Sequence, residues 1–246
     1  MSKESIVAVL GLLRRFKTTE SLSTGNAPLH FLQAWAGDHS SFVVLRLALA
    51  SMEHVENARL AITQSELSQE AKDGLIATLT GLSQTFSFEN FGSAVQNFLP
   101  ALDSSITNFA IIASMADAQF SEAARAEVST LVGEIDGLAA EIRASNLDVR
   151  LRDIIVRHLG ILAAMLRNAD AVGVEPALSA YFDLMWHLRG AANEDKASAD
   201  QSASGFWEKM KSWGDRLTTL ANMADSGTKL LPYAEKVPDL LRLFQG

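Results

Sequence analysis

Apolar side chains recur at intervals of three and four residues along almost the whole chain, and that spacing confines it to helices. The run DHSSFVVLRLALASMEHVENARLAI, beginning at Asp38, carries it for several turns, with Asp38 placed as an N-cap. Ser68 heads SQEAKDGLIATLTGLSQTF, and Ser121 heads SEAARAEVSTLVGEIDGLAAEIRAS. Both starts carry acidic residues in the first turn, where the helix dipole favours them. Pro28 and Pro176 suit first-turn positions, where no intrahelical donor is lost. Pro100 divides Ser87–Leu99 from a following helix over Ala101–Ala116. NLDVRLRDIIVRHLGILAAMLRNADAVG reads as one long helix, with Leu151, Ile155, Leu162 and Met165 on a shared face and Gly173 at its end. Sustained alternation and Asn-Gly hairpin turns are both lacking. The expected fold class is all-α: a multi-helix bundle with a tethered amphipathic helical C-terminal tail.

Composition narrows the chemistry. A chain of 246 residues that is 48% hydrophobic can bury a substantial core. A net charge of −8 argues against a nucleic-acid footprint, which needs clustered Lys and Arg. With 0 cysteines, disulfides, thiolate metal sites and cysteine nucleophiles are excluded. The opening MSKESIVAVLGLLRRFK reads as an ordinary first helix capped by Ser2, because its apolar stretch is short and ends in Arg14-Arg15. No run reaches the ~18 uncharged apolar residues of a membrane span, and a cytoplasmic location is expected.

Between Gly190 and Gly205 no large apolar residue occurs, so that stretch cannot offset its own ordering entropy. The expected organisation is a helical bundle over 1–190, a flexible linker over 191–204 and an amphipathic helical tail over 205–246. The body is acidic, and the tail is close to neutral and slightly basic. One internal echo, IATLTG at Ile76–Gly81 and VSTLVG at Val128–Gly133, follows a Ser-initiated helix start each time.

Catalytic signatures are sparse. None of the 5 histidines, His30, His39, His54, His158 and His187, pairs with another at ligand spacing. His158 falls on an apolar helix face and reads as a core histidine. Asp183 and His187 share a face at i,i+4, a spacing that orients an imidazole for base catalysis but is also an ordinary helix contact. Phosphate-binding glycine loops are absent. Arg143, Arg150, Arg152 and Arg157 are interleaved with Asp148 and Asp153, which reads as a solvated, salt-bridged face. Phe86, Phe88, Phe91 and Phe98 read as core. From Asn90 to Ala116 the only charge is Asp103, so the stretch reads as a buried central hairpin, or as the concealed hairpin of a pore former.

The portion VRLRDIIVRHLGILAAMLRNADAVGVEPALSAYFDLMWHLRG, Val149 to Gly190, resembles a helix–Val-Gly turn–helix unit of small uncharacterised bacterial proteins. The resemblance implies a bacterial source and assigns no role to any residue.

The tail holds the strongest signal. Phe206, Met210, Trp213, Leu217, Leu220 and Ala224 follow the four-three spacing of a heptad seam. An isolated helix of this composition is marginal in water, so the seam needs an apolar partner. That partner is expected to be protein, the chain's own body or a neighbouring copy, with Trp213 as anchor. Gly214 weakens a long rigid coiled coil, and Gly227, Pro232 and Pro238 break the tail into two short helices. The functional expectation is a non-enzymatic protein–protein interaction module that binds no cofactor, no stoichiometric metal and no nucleic acid. The alternative is a membrane-active or pore-forming helical effector, with Trp207, Lys209 and Lys211 at the headgroup level. Third stands an enzyme whose carboxylate and histidine site only the fold assembles.

Overall fold

In the computed structural model, residues 3–19, 27–37, 41–115, 121–194 and 202–224 are described, and among them every regular element is helical. The protein is all-α. Its helices fall into two compact units, Met1–Phe120 with Asn168–Gly173, and Ser121–Arg167 with Val174–Gly246.

The first unit comprises α1 (Lys3–Thr18), α2 (Pro28–Ala36), α3 (Ser41–Thr63), α4 (Gln69–Thr85), α5 (Leu102–Met115) and the short α8 (Ala169–Val172). Helix α1 is central and packs on α3, α5 and α8. Its buried Ile6, Val9, Leu13 and Phe16 repeat at three and four residues, as a helix with one core-facing stripe requires. Phe16 also gathers Phe31, Trp35 and Phe86, with ring centroids 4.9, 5.1 and 5.9 Å away.

The second unit is a four-helix arrangement of α6 (Glu122–Ala144), α7 (Val149–Arg167), α9 (Glu175–Glu194) and α10 (Ser202–Ala224). Packing runs α6 on α7, α7 on α9, α9 on α10 and α10 back on α6, which closes a ring around one core.

Several local signals act as the sequence implies. The Ser68 hydroxyl accepts from the Ala71 amide and the Ser121 hydroxyl from the Ala124 amide, each capping its helix. Asp148, read from the sequence only as part of a salt-bridged face, accepts from the amides of Arg150 and Leu151 at 2.9 and 3.3 Å and caps the start of α7. Pro28 is the first residue of α2. The caps assigned to Ser2 and Asp38, the breaks assigned to Gly227, Pro232 and Pro238, and positions 195–201 of the expected linker lie outside the described residues. On either side of those positions α9 reaches Glu194 and α10 begins at Ser202.

Two expectations are corrected. The long helix over Asn146–Gly173 is broken: α7 ends at Arg167, Asn168 leaves helical geometry at φ −107°, ψ 9°, and α8 follows. Asn168 is fully buried, its amide donates to the Trp35 carbonyl at 2.8 Å, and its Oδ1 accepts from Arg15 at 2.6 Å. Those bonds compete with the helix and win, because a buried amide left unpaired costs about 1–3 kcal/mol. Gly173, at φ +72°, then turns the chain into α9.

The segment before Pro100 is likewise no helix of a hairpin. It forms two 3-10 turns, Phe88–Asn90 and Val95–Asn97, separated by Gly92-Ser93. Only α5 follows, with Leu102, Phe109 and Ile112 buried. The internal echo also diverges. A side chain at Gly81 would strike the Phe98 carbonyl, whereas Gly133 faces open space.

Candidate functional site

The seam read from the sequence forms one face of α10. Met210, Trp213, Leu217 and Leu220 are each at most 1% exposed, and Phe206 is half-buried. Ala224 ends the helix, and its side chain lies outside the described residues. The face rests on α6 and α9.

Polar contacts set the register. Trp213 Nε1 donates to Glu134 at 2.8 Å, and Arg216 Nη1 donates to both oxygens of the same carboxylate at 2.9 and 2.8 Å. Arg216 Nε reaches on to Glu127, and Lys209 meets Glu141 at 3.4 Å. As α10 advances from Lys209 to Arg216, its partners on α6 fall from Glu141 to Glu127, so the two helices run antiparallel. The bond from Arg216, followed by that from Trp213, holds the Glu134 carboxyl below its usual range despite partial burial. Burial works against the Arg216 charge, but the bonds to Glu127 and Glu134 outweigh it and raise the guanidinium pKa.

Against α9 the contact is made by Tyr181. Its hydroxyl is buried and donates to the Met210 carbonyl at 2.8 Å. Burial, and then the nearby Asp215 charge, raise its pKa and keep it a neutral donor. Gly214 makes the approach feasible, since a Cβ there would lie 2.7 Å from the Tyr181 oxygen. Read from sequence, this glycine weakens the helix; in place, it admits the tyrosine.

The sequence reading missed Tyr181, Glu127, Glu134, Glu141 and Arg216. A signal for the charged residues existed. Glu127, Glu134 and Glu141 are spaced by seven on α6, and Lys209 and Arg216 by seven on α10, so each set lines one helix face.

The residues assigned to a membrane-facing role sit differently from one another. Trp207 is half-buried, edge-on to Phe206 at 5.3 Å. Lys209 is exposed and engages Glu141, and Lys211 is exposed.

Three of the described histidines, His54, His158 and His187, make contacts that can be named. His187 bonds through Nδ1 to the Asp183 backbone carbonyl at 2.7 Å rather than to its carboxylate. Its ring stacks 4.3 Å from that of His158, which is half-buried. His54 sits 3.3 Å from the Ser5 hydroxyl and 2.7 Å from the Val172 carbonyl. The carbonyl fixes Nε2 as the donor and leaves Nδ1 to accept from Ser5, the polarity of a nucleophile and its base. Ser5 and His54 are only 2% and 7% exposed, however, and the pair acts as a buried brace tying α1, α3 and α8. Among the described residues no group of three His, Asp or Glu is placed to hold a metal ion.

That brace gives a pH prediction. Burial lowers the His54 pKa from 6.5, outweighing the Val172 bond and the Glu53 charge. Below that pH the unfolded chain takes up a proton that the folded chain refuses, so stability falls as pH drops, by up to ~1.4 kcal/mol per unit. Urea midpoints measured from pH 7 to 5.5 should decline in the native protein. They should be flatter in His54→Gln, and equal slopes would remove His54 as the cause.

Compared with known proteins, the chain matches no protein-family model, no curated protein and no solved structure.

Proposed function

We propose that this chain is a cytoplasmic, non-enzymatic protein-interaction module in which α6 and α9 present a helix-binding surface and α10 is its resident occupant. The observation that carries this reading is the double anchoring of α10. An apolar seam centred on Trp213 is buried, and the Glu134 carboxylate is held by both Trp213 and Arg216. An amphipathic helix seated through anchors spaced at three, four and seven residues is a general recognition mode. Its partners are helices of similar pattern, on another protein or on a second copy of this chain. The membrane-active reading is less well supported. The apolar face of α10 is turned to α6 and α9, and among the described residues no helix is long and apolar enough to cross a membrane.

The test supplies the occupant in trans. A labelled peptide covering residues 202–224 is titrated into the native full-length chain and into the full-length double variant Trp213→Ser/Leu217→Ser. The native surface is filled and should give little binding. The variant, its own α10 released, should bind the peptide with micromolar affinity and lose it again when Glu134→Lys is added. Failure of the peptide to bind a variant whose remaining helices stay folded would falsify the reading.

A further inference from the structure

Helix α3 carries two apolar faces. One holds Val44, Leu47, Ser51, His54 and Val55, buried against α1, α2, α4 and α8. The other points outward and has Phe42, Leu45, Leu49 and Met52 exposed at 40, 41, 55 and 37%. Their spacing of three, four and three residues makes a continuous stripe on one side of the helix, the a/d pattern of a coiled-coil seam. Single exposed apolar residues are ordinary, but a seam-patterned row of this kind marks a contact surface. Glu56, which bonds Ser83 and Arg59, interrupts the row, and Leu60, 58% exposed, lies one turn beyond it on the same face.

We propose that this stripe is a homodimer interface in which α3 pairs antiparallel with α3 of a second copy. The choice of occupant rests on charge. Arg46 flanks the N-terminal half of the stripe, with its guanidinium 4.9 Å over the Phe42 ring. Glu53 flanks the C-terminal half on the same side of the helix. A helix flank that is basic toward one end and acidic toward the other complements itself only when reversed.

The register follows from the apolar residues. Setting Phe42 opposite Met52 of the second copy also sets Leu45 opposite Leu49, and the two-fold axis repeats both pairs. All four side chains on each copy are then covered. In that register Arg46 and Glu53 of the second copy lie about 8 Å apart along the axis. Side chains lean toward their own helix N-terminus, so in an antiparallel pair these two lean toward each other. The two arginines, in contrast, lean apart. A parallel pairing puts the flanks that carry Arg46 and Glu53 on opposite sides of the seam, so neither gains a charged partner there.

The stripe supplies only part of the ~800 Å² per partner of a stable interface, so the dimer is a transient one that forms at micromolar concentrations. It is independent of the α10 surface.

Sedimentation velocity of the full-length chain, from low micromolar to near-millimolar concentration, tests the proposal. The native protein should shift from monomer to dimer. Leu49→Glu should stay monomeric with unchanged far-UV circular dichroism. Arg46→Glu should weaken association by about tenfold, because two symmetric exposed pairs turn repulsive. The double reversal Arg46→Glu/Glu53→Arg should restore it. Both charged positions lie off the core, so this rescue remains readable if Leu49→Glu fails to fold. Trp213→Ser/Leu217→Ser should leave dimerisation unchanged. A native chain that stays monomeric throughout overturns the proposal, as does a double reversal that fails to restore association. Monomeric protein that sediments with phosphatidylglycerol vesicles, and ceases to do so as Leu49→Glu, would assign the stripe to lipid instead.

Discussion

Replacing Trp213 and Leu217 together by serine releases α10 from its neighbours while α6, α7 and α9 keep their helices. Both side chains are at most 1% exposed, one turn apart on the same face. Truncating a buried Trp or Leu costs about 2–5 kcal/mol each, and serine adds a buried hydroxyl. The two sites share a cavity, so their costs do not simply add. A combined loss of ~5 kcal/mol still rivals the whole stability of a small domain. Once undocked, α10 cannot persist alone, since it carries Gly205 and Gly214 and an isolated helix of this length is marginal. Lys209, Lys211 and Arg216 then become trypsin sites. Cleavage there should accelerate by orders of magnitude over the native chain, and helicity should fall by about the share of α10. Arg216→Ala should cost only ~1 kcal/mol, because the guanidinium and its carboxylates are partly exposed and screened. Native α10 cut as fast as the double variant would show that the seam does not hold it.

The apolar half of this site was legible; of the polar half only the seven-residue spacing of its charges was, and not which of them would meet. Trp213 and Leu217 announce themselves through a periodicity that depends only on the helix. Tyr181 and Glu134 acquire their roles only when α9 and α6 arrive, 29 and 79 residues from their partners. The all-α class, the Ser68 and Ser121 caps and the Pro28 start were readable for the same reason, being decided within a few residues. The break at Asn168 was not, because its cause is the Trp35 carbonyl 133 residues away. Helix α3 conceals its outward stripe in another way. A helix apolar on two faces gives no contrast by which sequence can tell the core side from the exposed side.

Among the described glycines, Gly11→Ala should be the most damaging single-methyl change. A Cβ on Gly11 would sit 2.0 Å from the Asp170 carbonyl oxygen and 2.8 Å from its carbon, far inside any contact that real side chains make. Relief requires α1 and α8 to separate, and α8 is fastened on every side. Arg15 donates to Asp170 at 3.0 Å and to Asn168, Asn168 holds the Trp35 carbonyl, and His54 holds the Val172 carbonyl. Backing α8 away by even an ångström strains or breaks those bonds, some of them buried, where each costs about 1–3 kcal/mol to leave unmade. A loss of about 3 kcal/mol or more follows, at the upper end for overpacking. Gly137→Ala is the matched control. It lies on the exposed face of α6 with nothing within 4 Å of the added carbon, so the same methyl should stabilise the protein by up to ~1 kcal/mol through helix propensity alone. Denaturant midpoints for the two variants should therefore move in opposite directions. If Gly11→Ala leaves the midpoint within experimental error of the native value, α1 and α8 do not meet as closely as described. The anchoring role given to Asn168 and His54 would then fall with it.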